Sequence, residues 1–323
     1  MAQYLLRRLI QSTLTLFVIS LVLFGLVSAF PGGIMNAYEE NPDITAEDYA
    51  RLRARYGLDD PVPVRYIKWL GNMLVGNWGN SFVSKRPALQ EVADRLPNTL
   101  TLMGVSFIFT LLIAVPLGII SALRQYSVFD HIATTLAFAG QSLPVFWFGL
   151  LLIIIFHVTL RTPQGAPLLP GSGMMTLGAE FSLTDRIRHL VLPVTMLSLV
   201  SAAGYMRYMR SSLLEVISQD YVRTAFAKGN DYRGAIYKHA MRNALIPLAT
   251  LIALDLPSLF GGALFTETIF SWPGMARLFF ERALKTDMPV IMAVLMIFSA
   301  LIVFSNLLVD VIYTWLDPRI KLS

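Results

Sequence analysis

The chain has 323 residues, 55 % of them hydrophobic and only 15 % charged, and its mean hydropathy is +0.59, whereas soluble domains run nearer roughly 45–50 % apolar and 25 % charged. That balance excludes an ordinary soluble domain and points to a polytopic membrane protein. The net charge of +5 does not argue for nucleic acid, because the basic residues cluster at the ends of apolar runs, and the absence of cysteine excludes disulfides and thiolate metal sites.

Arg7 and Arg8 precede an apolar run from Leu9 to Phe30, long enough for the roughly 20 residues a helix needs to cross a bilayer core. The run is too long for a signal-peptide h-region and no small-residue cleavage site follows it cleanly. It reads as an uncleaved first span with its N-terminus inside. Pro31 to Pro97 is polar, carries both charges in similar number and fits the outer face. Within it, Thr45 as an N-cap, Asp48 three residues on and Gly57 as a stop predict a helix over Ile44 to Gly57, with Tyr49, Leu52 and Tyr56 on one face. Farther along, Ile67, Leu70 and Leu74 form a stripe that ends in a Gly-Asn turn cluster.

Leu100 to Leu123 is the second span, with Pro116 as a candidate kink. Ile132 to Leu160 is the third, interrupted by Pro144 and Gly149, and Arg161 to Arg188 is a Pro/Gly-rich external loop. Leu190 to Met209 is the fourth, with Pro193 and Gly204 inside it. Ala244 to Phe265 is the fifth; Thr266 to Asp287 lies outside; Val290 to Leu316 is the sixth. Arg7-Arg8, Arg124, Arg207 to Arg242 and Arg319-Lys321 then fall on one side, as the positive-inside rule requires. The expected fold is an all-α polytopic membrane protein of six transmembrane helices, both termini cytoplasmic, with an external insertion after the first span. Its parts are 1–30 (tail and first span), 31–97 (external segment) and 98–323 (a five-helix core with a cytoplasmic loop, 211–242).

Between spans four and five lies a basic, mostly helical stretch, DYVRTAFAKGNDYRGAIYKHAMRNALIP, from Asp220 to Pro247. Val222, Ala225, Phe226 and Gly229 recur at i, i+3, i+4 and i+7, one face of a helix. Arg223 and Lys228 lie off that face. Gly229 supplies a stop, and Asn230-Asp231 can cap a second short helix with Tyr232, Ile236 and Ala240 on one side. Small residues (Ala225, Ala227, Gly229) would let another surface approach the backbone closely. From composition alone the stretch is either a docking element or a topogenic loop touching lipid headgroups.

The pattern YVRTAxAKG followed by HAxRNALIP resembles the coupling loop of ABC importer permeases, in the form carried by the dipeptide/oligopeptide/nickel subfamily. The Glu-Ala-Ala opening of the general loop is absent, which narrows the subfamily. A second stretch, ETIFSWPGMARLFF from Glu267, resembles the family's external turn, with Met275 and Ala276 as mild departures. The likeness extends from the first span through GNWGNS to the terminal LDPRIKL. Pro31-Gly32-Gly33-Ile34 departs from it, since an acidic residue more often follows that Pro-Gly. The resemblance implies the type I importer fold in the cytoplasmic (inner) membrane of a prokaryote. It also implies a second homologous permease subunit, two ATPase subunits and an external solute-binding protein as partners. ATP and Mg would be held by the ATPases, and no cofactor or metal by this chain. Carried over residue by residue, the ATPase contact is Tyr221, Val222, Arg223, Ala225, Ala227, Lys228 and Gly229, with His239 in the second half of the motif. Trp272, Pro273 and Gly274 form the external turn.

Ionisable groups inside a bilayer are costly and therefore informative. Asp255 lies about 18 Å along the fifth span at 1.5 Å per residue, near mid-membrane. It either faces a water-filled path, where it would attract a peptide's amino terminus or another cation, or is an interior acid bonded to hydroxyls or backbone. Glu267 at the outer end of span five and His157 in span three are further pathway candidates, His157 as a bundle-lining polar group. Trp272 is expected as an interfacial anchor. Arg207 and Arg210 are expected to anchor the cytoplasmic interface, and Asn306 and Asp310 to bond between helices. There is no P-loop, no HExxH and no nucleophile elbow, so the chain reads as a transport subunit and not an enzyme. The alternative is a secondary transporter or channel using Asp255 as a cation or proton site.

Overall fold

The computed structural model describes residues 2–29, 47, 59–231, 234–257 and 264–316, less the side chains of 2–5, 239 and 311–316. The expected helix over Ile44 to Gly57, the Pro31–Ile34 turn, Tyr232, the His239 side chain and the terminal LDPRIKL lie outside the described residues, apart from Glu47 and Leu316. Among the described residues helices predominate, joined by turns and loops, with two isolated antiparallel bridges, Asn80 to Pro87 and Arg161 to Pro167.

In chain order the helices are α1 (Ala2–Ala29), α2 (Val62–Leu74), α3 (Ala88–Leu123), α4 (Val128–Ser142) and α5 (Val145–Ile153), which continues as a π-helical turn over Ile154–Thr159. They are followed by α6 (Leu183–Ile217) and α7 (Asp220–Ala227). Then comes a π-helical turn, Ala235–Ala240, that runs straight into α8 (Met241–Asp255). The last are α9 (Leu264–Ile269), α10 (Met275–Ala283) and α11 (Met288–Leu316). Four of them, α1, α3, α6 and α11, are long and apolar enough to cross a membrane; α4 with α5 makes a fifth if that bent pair is one span.

In span three the interruption expected at Pro144 is a sharp break, while α5 runs unbroken through Gly149. The segment is broken by 102° between its halves. Leu143, which precedes Pro144, is extended at φ −78°, ψ 133°, because a proline ring disfavours the helical region for the residue before it. Spans two and four are also longer than their apolar runs. α3 begins at Ala88 and carries Pro97 and Pro116 within it, and α6 begins at Leu183, where Ser182 caps the helix through the Asp185 N–H. The expected fifth span corresponds to α8 and the start of α9, and residues 258–263 between them lie outside the described residues.

The chain divides into two compact units, Met1–Thr99 with Pro273–Ser323, and Leu100–Trp272. In the first, α1 packs along α11, and Arg8 Nε lies 3.2 Å from Asp310 Oδ2. A basic residue expected only to orient the N-terminus therefore also partners an acid of the last helix. α2 lies on α1 through Tyr66, whose ring meets Phe17 and Phe24 edge-on. Ser20 donates to the Phe17 carbonyl, so the Tyr66 hydroxyl donates to Ser20 Oγ at 2.8 Å. The Ile67 to Leu74 stripe faces outward, with Leu74 75 % exposed. The aromatic edge of α2 does the packing because it can bury both ring area and a satisfied hydroxyl.

A buried charge cluster closes this unit. Asp287 is fully buried and accepts from Ser81 Oγ and the Phe82 N–H, and Arg282 bonds Glu91 Oε2 through Nε at 3.2 Å and Nη2 at 2.8 Å. Arg282 Nε also lies 3.7 Å from Asp287 Oδ2, and Ser84 Oγ donates to Glu91.

In the second unit the core is built where α3, α4, α6 and α8 meet, around Met206, Met209, Leu213, Ala244 and Leu248. Gly118 makes the α3–α6 approach possible: a Cβ there would lie 2.7 Å from the Met206 carbonyl oxygen and 2.8 Å from Met209 Cβ. The other fixed point is Asp130, 2 % exposed. Arg210 grips its carboxylate with two hydrogen bonds of 2.7 Å, Nε to Oδ1 and Nη2 to Oδ2. Ser121 Oγ and the Tyr126 N–H (2.9 Å) complete the ring of donors.

Two outcomes follow. Gly118→Ala forces a backbone carbonyl to move, and overpacking of this kind costs about 1–3 kcal/mol. It should lower the apparent melting temperature of the purified protein, and an unchanged melt would show that the contact is slack. Asp130→Asn leaves Arg210 without its ion-pair partner, at a cost toward the lower end of about 3–5 kcal/mol because Arg210 keeps partial exposure. Pairing it with Arg210→Met should restore part of the loss. A double variant no better than the single would mean that the charges do not act as a pair.

Candidate functional site

The 220–240 stretch folds as a helix, a turn and a second helix. α7 buries Val222 and Ala225, 0 % and 6 % exposed, one turn apart on the inward face. Lys228 and Gly229 close it by bonding back to the Thr224 and Phe226 carbonyls, and Gly229 has φ +83°, a left-handed conformation that glycine adopts without a steric penalty. Asn230 then caps the helix end, its N–H and its side-chain Nδ2 both reaching the Ala225 carbonyl. Asp231 opens the next helix by accepting the Gly234 N–H at 3.0 Å. Ala235, Ile236 and Ala240 are fully buried, and Ile236 and Ala240 share a core cluster with Val222.

The outward surface is thus Tyr221, Arg223, Phe226, Ala227, Lys228 and Gly229, all exposed. Val222 and Ala225, expected to touch a partner, instead turn their side chains onto the chain's own core. The reason is their i, i+3 spacing: of the apolar face that marks the stretch as helical, Val222 and Ala225 seat it, while Phe226 and Gly229 stay exposed. From this turn the backbone continues as one helix through α8, and Ser212 Oγ on α6 donates to the Ala244 carbonyl at 2.9 Å.

At the far end of α8, Asp255 Oδ2 accepts the Tyr205 hydroxyl at 2.8 Å. Both residues line a cavity of about 370 Å³ among α3, α6 and α8. Ser106, Thr110 and Ser201 supply its other polar groups; Met103, Phe107, Leu197 and Leu251 supply apolar walls. Ser106 is 4 % exposed, and its Oγ has no hydrogen-bond partner among the described residues. Its carbonyl, by contrast, accepts from both Thr110 and Ser198.

The other candidates sit elsewhere. His157 is in the π-helical turn after α5, its Nδ1 3.0 Å from the Leu169 carbonyl, and its ring is so close to Gly171 that a Cβ there would lie 2.8 Å from His157 Cγ. Glu267 is fully buried in α9 and does not line the Asp255 cavity. Trp272 is fully buried with Leu102 and Val194, which overturns its expected place as an interfacial anchor: an indole sealed among helices cannot sit at headgroup depth. In the turn after it, Asn98 Nδ2 donates to the Pro273 carbonyl at 2.9 Å, and Thr99 Oγ1 accepts the Met275 N–H just past Gly274.

Arg210 is not the expected interface anchor but the partner of Asp130, and Arg207 bonds Gln141 and lies 4.6 Å from the centre of the Phe138 ring. Asp130 itself, Tyr205 and Ser106 escaped the sequence reading. Asp130 had a legible signal, an acid at the third helical position after the N-cap Ser127. Tyr205 and Ser106 had none, being a tyrosine and a serine within apolar runs.

Comparison with known proteins agrees with this architecture. Residues 114–322 match the profile of the binding-protein-dependent transport system inner membrane component, and residues 1–103 match the N-terminal profile of the same kind of membrane component. The chain is 43 % identical over 322 residues to the oligopeptide transport system permease protein AppB of Bacillus subtilis, covering 99 % of this chain and 100 % of that one. It is 35 % identical over 336 residues to the dipeptide transport system permease protein DppB of Escherichia coli K12, covering 99 % of each. It is 34 % identical over 333 residues to the di/tripeptide transport system permease protein DppB of Pseudomonas aeruginosa, again covering 99 % of each. The chain belongs to the family of inner-membrane permease components of binding-protein-dependent transport systems, and it is a multi-pass transport subunit and not an enzyme.

Proposed function

We propose that this permease imports di- or oligopeptides across the cytoplasmic membrane of a bacterium as one of two homologous transmembrane subunits. Two ATPase subunits holding ATP and Mg, and an external solute-binding protein, complete the transporter. In this reading the chain crosses the membrane six times with both termini inside. Residues 1–30 are its tail and first span, 31–97 its external segment and 98–323 its core with the coupling loop 211–242. The peptide substrate follows from what the relatives are named for transporting.

The observation that carries the reading is the construction of the 220–240 turn. Val222, Ala225, Ile236 and Ala240 seat it rigidly, while Tyr221, Arg223, Ala227, Lys228 and Gly229 are left on the outside. A loop that only set topology would have no need of a buried seat. Here the seat continues into α8, whose other end holds Asp255. From Ala235 to Asp255 is about 30 Å at 1.5 Å per residue, so a push on the docked turn reaches Asp255 along one helix. His239 lies within this lever, and Asp255 is the pathway residue. His157 and Glu267 remain pathway candidates, and the 272–274 turn faces the external mouth. ATP-driven closure of the partner ATPases would then switch the pathway between inward- and outward-facing states.

Gentle extraction of the tagged chain should recover ATPase subunits and a second permease in stoichiometric amounts. Isolation of the chain alone, under conditions that preserve a known membrane complex, would favour a secondary transporter. Ala227→Glu tests the docking surface without touching the seat. An unpaired charge forced into an interface costs several kcal/mol, so peptide uptake should fall by at least about tenfold while the thermal stability of the chain is unchanged. Wild-type uptake by this variant would remove the docking assignment.

A further inference from the structure

The Asp255 cavity has a composition that the permease assignment does not explain. Most of its wall is apolar, yet the lining includes a carboxylate, a tyrosine hydroxyl, a threonine and two serines. The Ser106 hydroxyl is buried and has no partner among the described residues, although buried hydroxyls are nearly always satisfied. Its neighbours do not neglect hydrogen bonding: the Thr110 and Ser198 hydroxyls both find the Ser106 carbonyl, and Tyr205 finds Asp255. A buried orphan hydroxyl beside satisfied ones is what a site shows when its partner is a ligand.

We infer that this cavity is a peptide subsite in which Asp255 takes the ammonium group of the substrate's amino terminus and Ser106 bonds its first amide. The inference rests on the importer reading above. Among the described residues Asp255 is the one carboxylate lining the cavity, and Tyr205, by donating to Oδ2, fixes the carboxylate plane. An ammonium with three donors can bond that carboxylate and still reach a hydroxyl or carbonyl beside it. Met103, Phe107 and Leu251 then offer an apolar wall to a side chain without selecting which one. A volume of about 370 Å³ lies at the small end of ligand cavities, roughly 300–1,000 Å³. That suits one end of a peptide and not an extended chain. A metal ion fits the donors poorly: hard cations want six or more oxygens, with several carboxylates among them. Among the described residues no group of three or more His, Cys, Asp or Glu could hold one.

The site therefore reads the part common to all peptides and leaves the side chains to a partner. A transporter that moves many sequences needs such a grip during translocation, because it cannot rely on side-chain pockets. The grip must also be weak enough to release. One ammonium–carboxylate contact meets that condition.

The test uses the complete transporter in nanodiscs without its binding protein, so that only membrane-subunit contacts are read. Trialanine and N-acetyl-trialanine are compared by saturation-transfer NMR. Wild type should prefer the free amine by at least about tenfold, the size of one lost charge-assisted contact, and Asp255→Asn should erase that preference. Ser106→Ala should weaken binding of both forms severalfold while leaving the melting temperature equal or higher. That pattern separates a ligand contact from a structural one, since removing a hydroxyl that bonds nothing in the protein cannot cost stability. Equal binding of both peptides to wild type, or an undiminished preference in Asp255→Asn, overturns the inference. So does displacement of trialanine by sodium at equal concentration, which would make Asp255 an inorganic cation site. Uptake of trialanine into proteoliposomes with the binding protein present separates the two levels. If wild type and Asp255→Asn transport equally, only this inference fails. If wild type transports no peptide, the proposed function fails and takes this inference with it.

Discussion

The arrangement of the Leu100–Trp272 unit depends on one carboxylate. Asp130 sits just inside the N-terminus of α4, where backbone N–H groups and the helix dipole already favour negative charge. It is buried nonetheless, and burial of a charge is tolerated only when every lone pair is occupied. Here Arg210 from α6, Ser121 from the end of α3 and the Tyr126 N–H occupy them. The end of α3, the corner after it and the distant α6 are thereby fixed to the start of α4 at a single point. Tyr126 lies at φ +62°, an uncommon conformation for a bulky side chain, and its N–H is one of the groups that Asp130 holds. The tight α3–α4 corner and the α4–α6 pairing thus share one cause. A hydrophobic contact could bring the same helices together, but it would not fix their register, because dispersion is non-directional and a bidentate guanidinium–carboxylate pair is not.

The Met1–Thr99 and Pro273–Ser323 unit solves the same problem with different parts. Its stretch after α2 has little apolar surface of its own and cannot form a core alone. Arg282, held between Glu91 and Asp287, replaces that core with charge, and Asp287 reaches back to cap the 81–83 turn. The apolar residues that accompany it, Val92, Met275, Leu278 and Val290, pack beside the network and shield it from water. Low water content strengthens each of these bonds and raises the cost of breaking any of them. In both units, then, the apolar helices supply bulk and a buried acid with an arginine supplies position.

Much of this was legible in the sequence, and the reason differs from element to element. The long helices announce themselves because lipid imposes a length and an apolar composition that no other environment does. The 220–240 turn was legible because caps are local: Gly229 and Asn230-Asp231 act within a few residues of themselves. The break at Pro144 was visible as a proline, but its angle was not, since the angle depends on what α5 packs against. Trp272 was misread because tryptophan in a membrane chain has two stable places, the interface and the bundle interior, and local sequence does not choose between them. Arg210 was misread for the same reason: its partner lies 80 positions away. Tyr205 and Ser106 carry no local signal. They matter only because α3, α6 and α8 converge, and convergence is a tertiary fact.

The packing also decides how a push on the proposed docking surface can travel. If α6 and α8 slid freely, displacement of the 220–240 turn would be absorbed by local repacking. The contacts oppose that. Ser212 bonds the Ala244 carbonyl across the two helices, Gly118 brings the α3 backbone against Met206 and Met209, and Asp130 pins α4 to α6. Each is a close polar or backbone contact that tolerates little shear, and densely packed interiors of this kind transmit strain instead of dissipating it. The cavity floor, Tyr205 and Asp255, is shared between the two helices that Ser212 joins. In the proposed coupling, motion at the turn would have two outlets: the whole unit would move as a body, or the Tyr205–Asp255 bond would change length. The first would reorient the cavity without altering it, and the second would change its affinity for the proposed ligand. A permease that must release what it has carried inward has use for both, and the single helix from Ala235 to Asp255 is the element through which either would act.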